Sequence, residues 1–290
     1  MVDQAAIDEG ARELRKARYN NSAFNATTGA SVNMRRRQSL RDMVEKRPDL
    51  KPHAETITKQ ADAGDVKLST TPRLVASVLV AMVCGFLLGY HTSVMNAAEA
   101  TALPGHTVGG WSFAVTAMAV GGPIGSSVGG EFADQYGRQT SLLLIMALYA
   151  AGGVVLTLGN AMLNSLAVVV GARFALGVAA GATTVVLPVY LGEVAPPELR
   201  GTFGTLNQLA MVLGILVADV MALVPSLATA NIMFGVSAAV AIVQLAVALV
   251  LPLATSPRYL LSKDPGSADA RVVISALYGL DATMVRGGIL

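Results

Sequence analysis

The stretch "PVYLGEVAPPELRGT", residues 188–202, sets two glutamates, an arginine and three prolines at the end of a run with no charge between Arg173 and Glu193. An apolar run of that length, closed by charges that stay wet and by Pro196-Pro197, which cannot continue a helix, reads as a membrane-spanning helix meeting water. The rest of the chain repeats the pattern. It is 53% apolar and only 14% charged, with a mean hydropathy of +0.56, whereas soluble domains carry about 25% charged residues. The class is membrane protein, which excludes an ordinary soluble enzyme or a nucleic-acid-binding module.

Six apolar segments follow one another, at roughly 74–97, 110–133, 140–159, 165–190, 201–224 and 231–254. A helix needs about 20 residues to cross a hydrocarbon core of about 30 Å. In lipid only helices and closed barrels satisfy every backbone group, and these runs are continuous, not alternating. The expected fold is all-α with six transmembrane helices. Residues 1–72 hold most of the Lys and Arg up to Arg73, where 14 of the 21 lie, with only Tyr19 and Phe24 as aromatics. This segment is expected to be a disordered polar tail, and no apolar run near Met1 marks it as a signal peptide. Cys84 sits alone in an apolar run and has no internal disulfide partner.

The basic residues also orient the chain. Connections one, three and five carry no Lys or Arg, while the tail and the other connections carry Arg73, Arg138, Arg200, Arg258, Lys263 and Arg271. The positive-inside rule then places both termini in the cytosol, with the plasma membrane as the expected location.

The charged connections resemble one another and a known family. "GGEFADQYGRQ" follows the second span, "GEVAPPELRG" the fourth and "SPRYLLSKD" the sixth. Together with Arg173, Phe174, Gly177 and Gly181 in the fourth span, these residues resemble the ordered motifs of the sugar porter branch of the major facilitator superfamily. They comprise Gly130, Asp134, Gly137 and Arg138; Pro188, Tyr190, Glu193, Pro196, Arg200 and Gly201; and Ser256 to Leu260. "GTLNQL" and "LGYHTSVMNA" bring the chain nearest to the eukaryotic hexose facilitators. The resemblance covers about residues 74–285 and implies one half of a major facilitator fold, built from two inverted three-helix repeats. Residues 73–260 would form that N-terminal half and 261–290 the start of a cytoplasmic helical linker, cut short. The second six-helix half, which supplies much of the sugar-binding surface, would be missing.

Site residues follow from the same resemblance and from physical chemistry. Asp134, Arg138, Glu193, Arg200 and Arg258 are the expected cytoplasmic gate network, since acid–base pairs at helix ends can hold or release neighbouring helices; solvated helix ends are the plainer reading. Gln135 and Gln139 stand where the family often has basic residues, and Thr255 where it has a glutamate, so one arm of the latch is expected to be weaker. An arginine inside a span costs about 2.5–3.5 kcal/mol on insertion scales, so Arg173 should face inward. His91 occupies the position of the carboxylate that carries the proton in proton-coupled relatives, making His91 and Arg173 the central polar pair. Facilitative uniport is favoured and proton symport is the alternative; a transporter-like sensor without flux is a further one. Gln208, whose amide can both donate and accept, is the expected sugar contact, with Asn207, Thr92 and Asn96 beside it. A monosaccharide and the lipid bilayer are thus the expected partners.

Gly121, Gly125 and Gly129, with Gly177 and Gly181, recur every fourth residue and are expected to let helices pack closely. "GSSVG", residues 125–129, matches a hydrolase nucleophile elbow in letters only, since that elbow needs a strand and a turn. Neither a phosphate loop nor a metal pair of the H-E-x-x-H type occurs in the sequence, so no cofactor, no metal and no enzymatic activity is expected. In the tail, "RRRQSL" offers Ser39 to a basophilic kinase, or its arginines to anionic lipid. The sequons at Asn20 and Asn25 fall on the cytosolic side.

Overall fold

The computed structural model describes residues 71–196, 199–251 and 253–264, together with Glu9, Asp42, Val272, Val273, Ala276 and Leu277. Ser39, both sequons and most of the expected tail and linker lie outside the described residues. Six long helices run in order: α1 Pro72–Ala98, α2 Val108–Tyr136, α3 Arg138–Ala161, α4 Leu166–Val194, α5 Arg200–Leu223 and α6 Ala230–Val250. A short helix, α7 Pro257–Lys263, follows.

The boundaries have local causes. Thr71 caps α1 by accepting from the Leu74 amide at 3.3 Å, with Pro72 placed in the first turn, where its lack of an N–H costs nothing. Thr107 caps α2 in the same way, accepting from Gly110 at 3.1 Å. Gly137 lets α2 turn directly into α3 because its φ of +93° lies where side chains are disfavoured. Helix α6 ends at Val250 instead of running to residue 254. Leu253 and Ala254 are buried outside the helix, and the Ala254 amide is satisfied by the Ser77 hydroxyl of α1 at 3.1 Å. Five of the six are long and apolar enough to cross a membrane; α2 has the length, 29 residues, but its glycines, serines and Pro123 dilute its apolar content.

The packing has an internal two-fold logic. Helix α1 lies along α5 and α4 along α2, while α3 packs on both α4 and α6, and α6 on α1. Exchanging α1–α3 for α4–α6 maps these pairs onto one another, as two inverted three-helix repeats require. The glycines obey the same exchange. Gly177 and Gly181 of α4 press on the backbone of α2 at Met118 and Gly122, and Gly85 and Gly89 of α1 meet Asn207 and Met211 of α5. An added Cβ at Gly181 would lie 2.7 Å from the Gly122 carbonyl carbon and 2.9 Å from its Cα, so these seams close only because the side chain is a hydrogen atom.

Candidate functional site

Polar residues collect in three places: one end of the bundle, its buried centre, and one side of the α1–α5 seam. At the end where α2 turns into α3, Arg138 is the hub. Its Nη2 lies 2.8 Å from Asp134 and its Nε 3.1 Å from Glu193 of α4, while Nη1 donates to the Ala133 carbonyl at 3.0 Å. The Arg138 and Glu193 side chains are only 14% and 8% exposed, whereas Asp134 is 75% exposed, so the α4 arm carries more energy than the α2 arm.

The segment after α6 locks onto this hub. The Ser256 hydroxyl donates to the Glu193 carboxylate at 2.6 Å and also caps α7, accepting from the Tyr259 amide at 3.1 Å. The Tyr259 hydroxyl donates to the Gln135 carbonyl at 3.0 Å, and its ring lies over Gly137 and 5.6 Å from the Arg138 guanidinium carbon. Thr255 donates to the side-chain oxygen of Gln139 at 2.8 Å. Where the family pattern would set opposite charges, this chain thus sets a neutral hydrogen bond. Among the described residues Arg200 and Arg258 form no ion pair with the others; Arg258 is exposed and Arg200 half-buried.

In the centre, Arg173 is 1% exposed and His91 fully buried. They meet, but through the backbone: Arg173 Nη1 donates to the His91 carbonyl at 3.0 Å. The His91 ring stacks parallel to Tyr149, centroids 5.9 Å apart, and Tyr149 lies 3.3 Å from the Thr183 hydroxyl of α4. Both His91 nitrogens and Arg173 Nε lack a hydrogen-bond partner among the described residues. No carboxylate pairs with Arg173 among the described residues.

The third group lies on α1 and α5, which run parallel because the four connections between them reverse the chain four times. Asn207, Met211, Gly214 and Ala218 form the seam face of α5, against Gly85, Gly89, Phe86 and Tyr90 of α1. One residue further on, about 100° around the helix, come Gln208, Val212, Ile215 and Asp219. Because parallel helices turn in the same sense, that side of α5 adjoins the side of α1 bearing Leu88 and Thr92. Gln208, Asp219, Thr92 and Asn96 are all exposed. The opposite side of the seam shows Leu79, Leu213 and Val217, all apolar. Asn207 is half-buried, and its Oδ1 would meet a Cβ at Gly85 at 3.0 Å; it belongs to the seam, not to the exposed stripe. Asp219 was not singled out from the sequence. The available signal was plain: it is the single charge between Arg200 and Arg258. Its carboxylate accepts from the Ser93 hydroxyl of α1.

Residues 77–284 match the family described as Sugar (and other) transporter. The human solute carrier family 2, facilitated glucose transporter member 14, is 34% identical over 231 residues, which are 73% of this chain and 44% of that protein. Member 3 of the same carrier family from Ovis aries is also 34% identical over 231 residues, 73% of this chain and 46% of the relative. The chain therefore spans less than half the length of these curated relatives. Among solved structures, the xylose transporter XylE from E. coli, in a partially occluded inward open conformation, superposes with a TM-score of 0.61 at 22% identity, covering 75% of this chain and 57% of that one. The same transporter, described as a proton:xylose symporter bound to 6-bromo-6-deoxy-D-glucose, gives 0.62 at 22% identity, covering 74% and 51%. At that identity the likeness carries the fold: six helices arranged as one half of a major facilitator.

Proposed function

The chain belongs to the sugar (and other) transporter family, and from that premise we propose that it forms one wall of a path carrying a hexose or related monosaccharide across a membrane by alternating access. No chemical conversion is involved. The observation that carries the reading is the exposed polar stripe of Gln208, Thr92, Asn96 and Asp219 on one side of the α1–α5 seam, whose opposite side shows Leu79, Leu213 and Val217. Such groups at membrane depth are costly when turned to lipid and useful when turned to a water-filled path. A facing six-helix half would complete that path, as the greater length of the relatives suggests. The Arg138 end is the cytosolic one on this reading, by the distribution of Lys and Arg, and the Arg138–Glu193–Ser256 cluster is the gate that parts when that side opens.

Transport by this path is facilitative uniport. A proton carrier needs a titrating group that exchanges partners with the buried arginine, and Arg173 is bonded to a backbone carbonyl, which does not titrate. His91 then serves as a packed ring against Tyr149. The test is uptake of labelled hexose by the complete carrier in cells without hexose carriers of their own. Saturable uptake that needs neither ATP nor a proton gradient supports the reading, and Gln208→Ala should weaken it about tenfold or more, the loss of one to two hydrogen bonds from a desolvated site. No uptake of any sugar refutes it.

A further inference from the structure

The wall that bears Gln208 also bears a charge. Asp219 lies on the same face of α5 as Gln208, eleven residues or about three turns further along, toward the end of the bundle opposite Arg138. It is exposed, although it accepts a hydrogen bond from Ser93 of α1. Ser93 is buried, so the bond pins the carboxylate to the edge of the seam while its other side stays open. The connections at that end of the bundle, residues 99–107, 162–165 and 224–229, contain Glu99 and no Lys or Arg. Glu99 is exposed one turn beyond Asn96. The cation at a comparable depth, Arg173, is 1% exposed and held by the His91 carbonyl, so its charge is turned away from the stripe. Among the described residues of this wall, a ligand moving along the stripe toward Gln208 therefore passes a fixed negative charge with no exposed Lys or Arg to offset it; His106, in the first connection, is half-buried with its Nδ1 against the Ala102 and Leu103 carbonyls.

We propose that Asp219 sets the charge selectivity of the path: the wall admits neutral sugars, favours sugars bearing an ammonium group and disfavours sugar acids. The inference rests on the sugar path proposed above. A carboxylate accepts hydrogen bonds from hydroxyls and from ammonium groups, and it offers nothing to a second carboxylate but repulsion. At the separations available across a path one sugar wide, and with the effective dielectric of a partly wet site, one such charge shifts the relative affinity of a cationic and an anionic ligand by about tenfold or more.

The experiment measures inhibition of labelled glucose uptake by glucosamine and by glucuronate, through the complete carrier. Glucosamine should inhibit at lower concentration than glucuronate. Asp219→Asn, which keeps the acceptor for Ser93 and removes the charge, should shrink the ratio of the two inhibition constants about tenfold. Asp219→Glu should retain the ratio, and Ser93→Ala, which breaks the bond but keeps the charge, should retain it also. A role confined to packing would change uptake of all three sugars together and leave the ratio alone. An unchanged ratio in Asp219→Asn overturns the proposal while leaving the sugar path standing. Absence of glucose uptake by the unaltered carrier overturns both.

Discussion

Replacing Gly181 by alanine tests the packing of α4 on α2, on which the position of the gate depends. The added Cβ would stand 2.7 Å from the Gly122 carbonyl carbon, 2.9 Å from its Cα, and closer still to its oxygen. Carbon atoms rest at about 3.5–4.0 Å, and a gap of 0.5–1 Å forfeits about a quarter to a half of each contact. The two backbones must therefore part by about 1 Å, and neighbouring contacts along the seam weaken with them. Overpacking of this kind costs about 1–3 kcal/mol, partly offset by the better helix propensity of alanine, about 1 kcal/mol. A net loss of about 1 kcal/mol should lower the melting temperature of the purified protein by about 2–4 °C. Gly204 in α5 is the control, since a Cβ there meets nothing within 4 Å; Gly204→Ala should be neutral or gain up to about 1 kcal/mol. Thermal unfolding in detergent reads both. A Gly181→Ala protein as stable as the parent, or a Gly204→Ala protein equally damaged, would refute the close-packed seam.

Other outcomes follow from the charged end and the core. Glu193→Gln should destabilise by about 1–3 kcal/mol, because it strips the largely buried Arg138 of its α4 partner, while Asp134→Asn should cost less than about 1 kcal/mol; melts of the two variants measure the difference. Thr255→Val should leave the Gln139 amide without its hydroxyl and cost about 1–2 kcal/mol. That loss should be the same at about 0.1 M and 1 M salt, since no ion pair is screened, unlike the loss in Asp134→Asn. Cys84, fully buried, should resist a water-soluble maleimide in the folded protein and react only as it unfolds, at the rate read by mass spectrometry.

The spans were legible because six uninterrupted apolar runs have few alternatives in lipid, and the turn from α2 into α3 was marked by Gly137 and Arg138. Helix α6 was read four residues too long, since Leu251, Leu253 and Ala254 are as apolar as the span before them. The local stop was in the sequence: Pro252 has no N–H to give and disfavours helical backbone at Leu251, while the Ser77 hydroxyl satisfies the Ala254 amide beyond it. The glycines of α2 and α4 were visible through their spacing, and Gly85 and Gly89 of α1 carried the same spacing unnoticed. At the charged end, Arg138, Asp134 and Glu193 were recognisable as polar groups at helix ends. Thr255 and Gln139 were expected to mark a weaker arm of the latch, but the hydrogen bonds of Ser256 and Tyr259 were not legible, because each depends on where the segment after α6 folds back. Asp219 lies outside every family motif, and only its isolation as a lone acid in an apolar run marks it in the sequence.

The central claim is that one side of the α1–α5 seam faces a watery sugar path and the other faces lipid. Cysteine accessibility in intact membranes tests it directly, with Cys84 buried and silent. Gln208→Cys, Ile215→Cys and Asp219→Cys should react with a membrane-impermeant maleimide applied from one side or the other, and hexose should slow the reaction at Gln208→Cys. Leu213→Cys and Val217→Cys should not react. Equal reactivity on the two sides, or reaction confined to Leu213→Cys and Val217→Cys, would contradict the account.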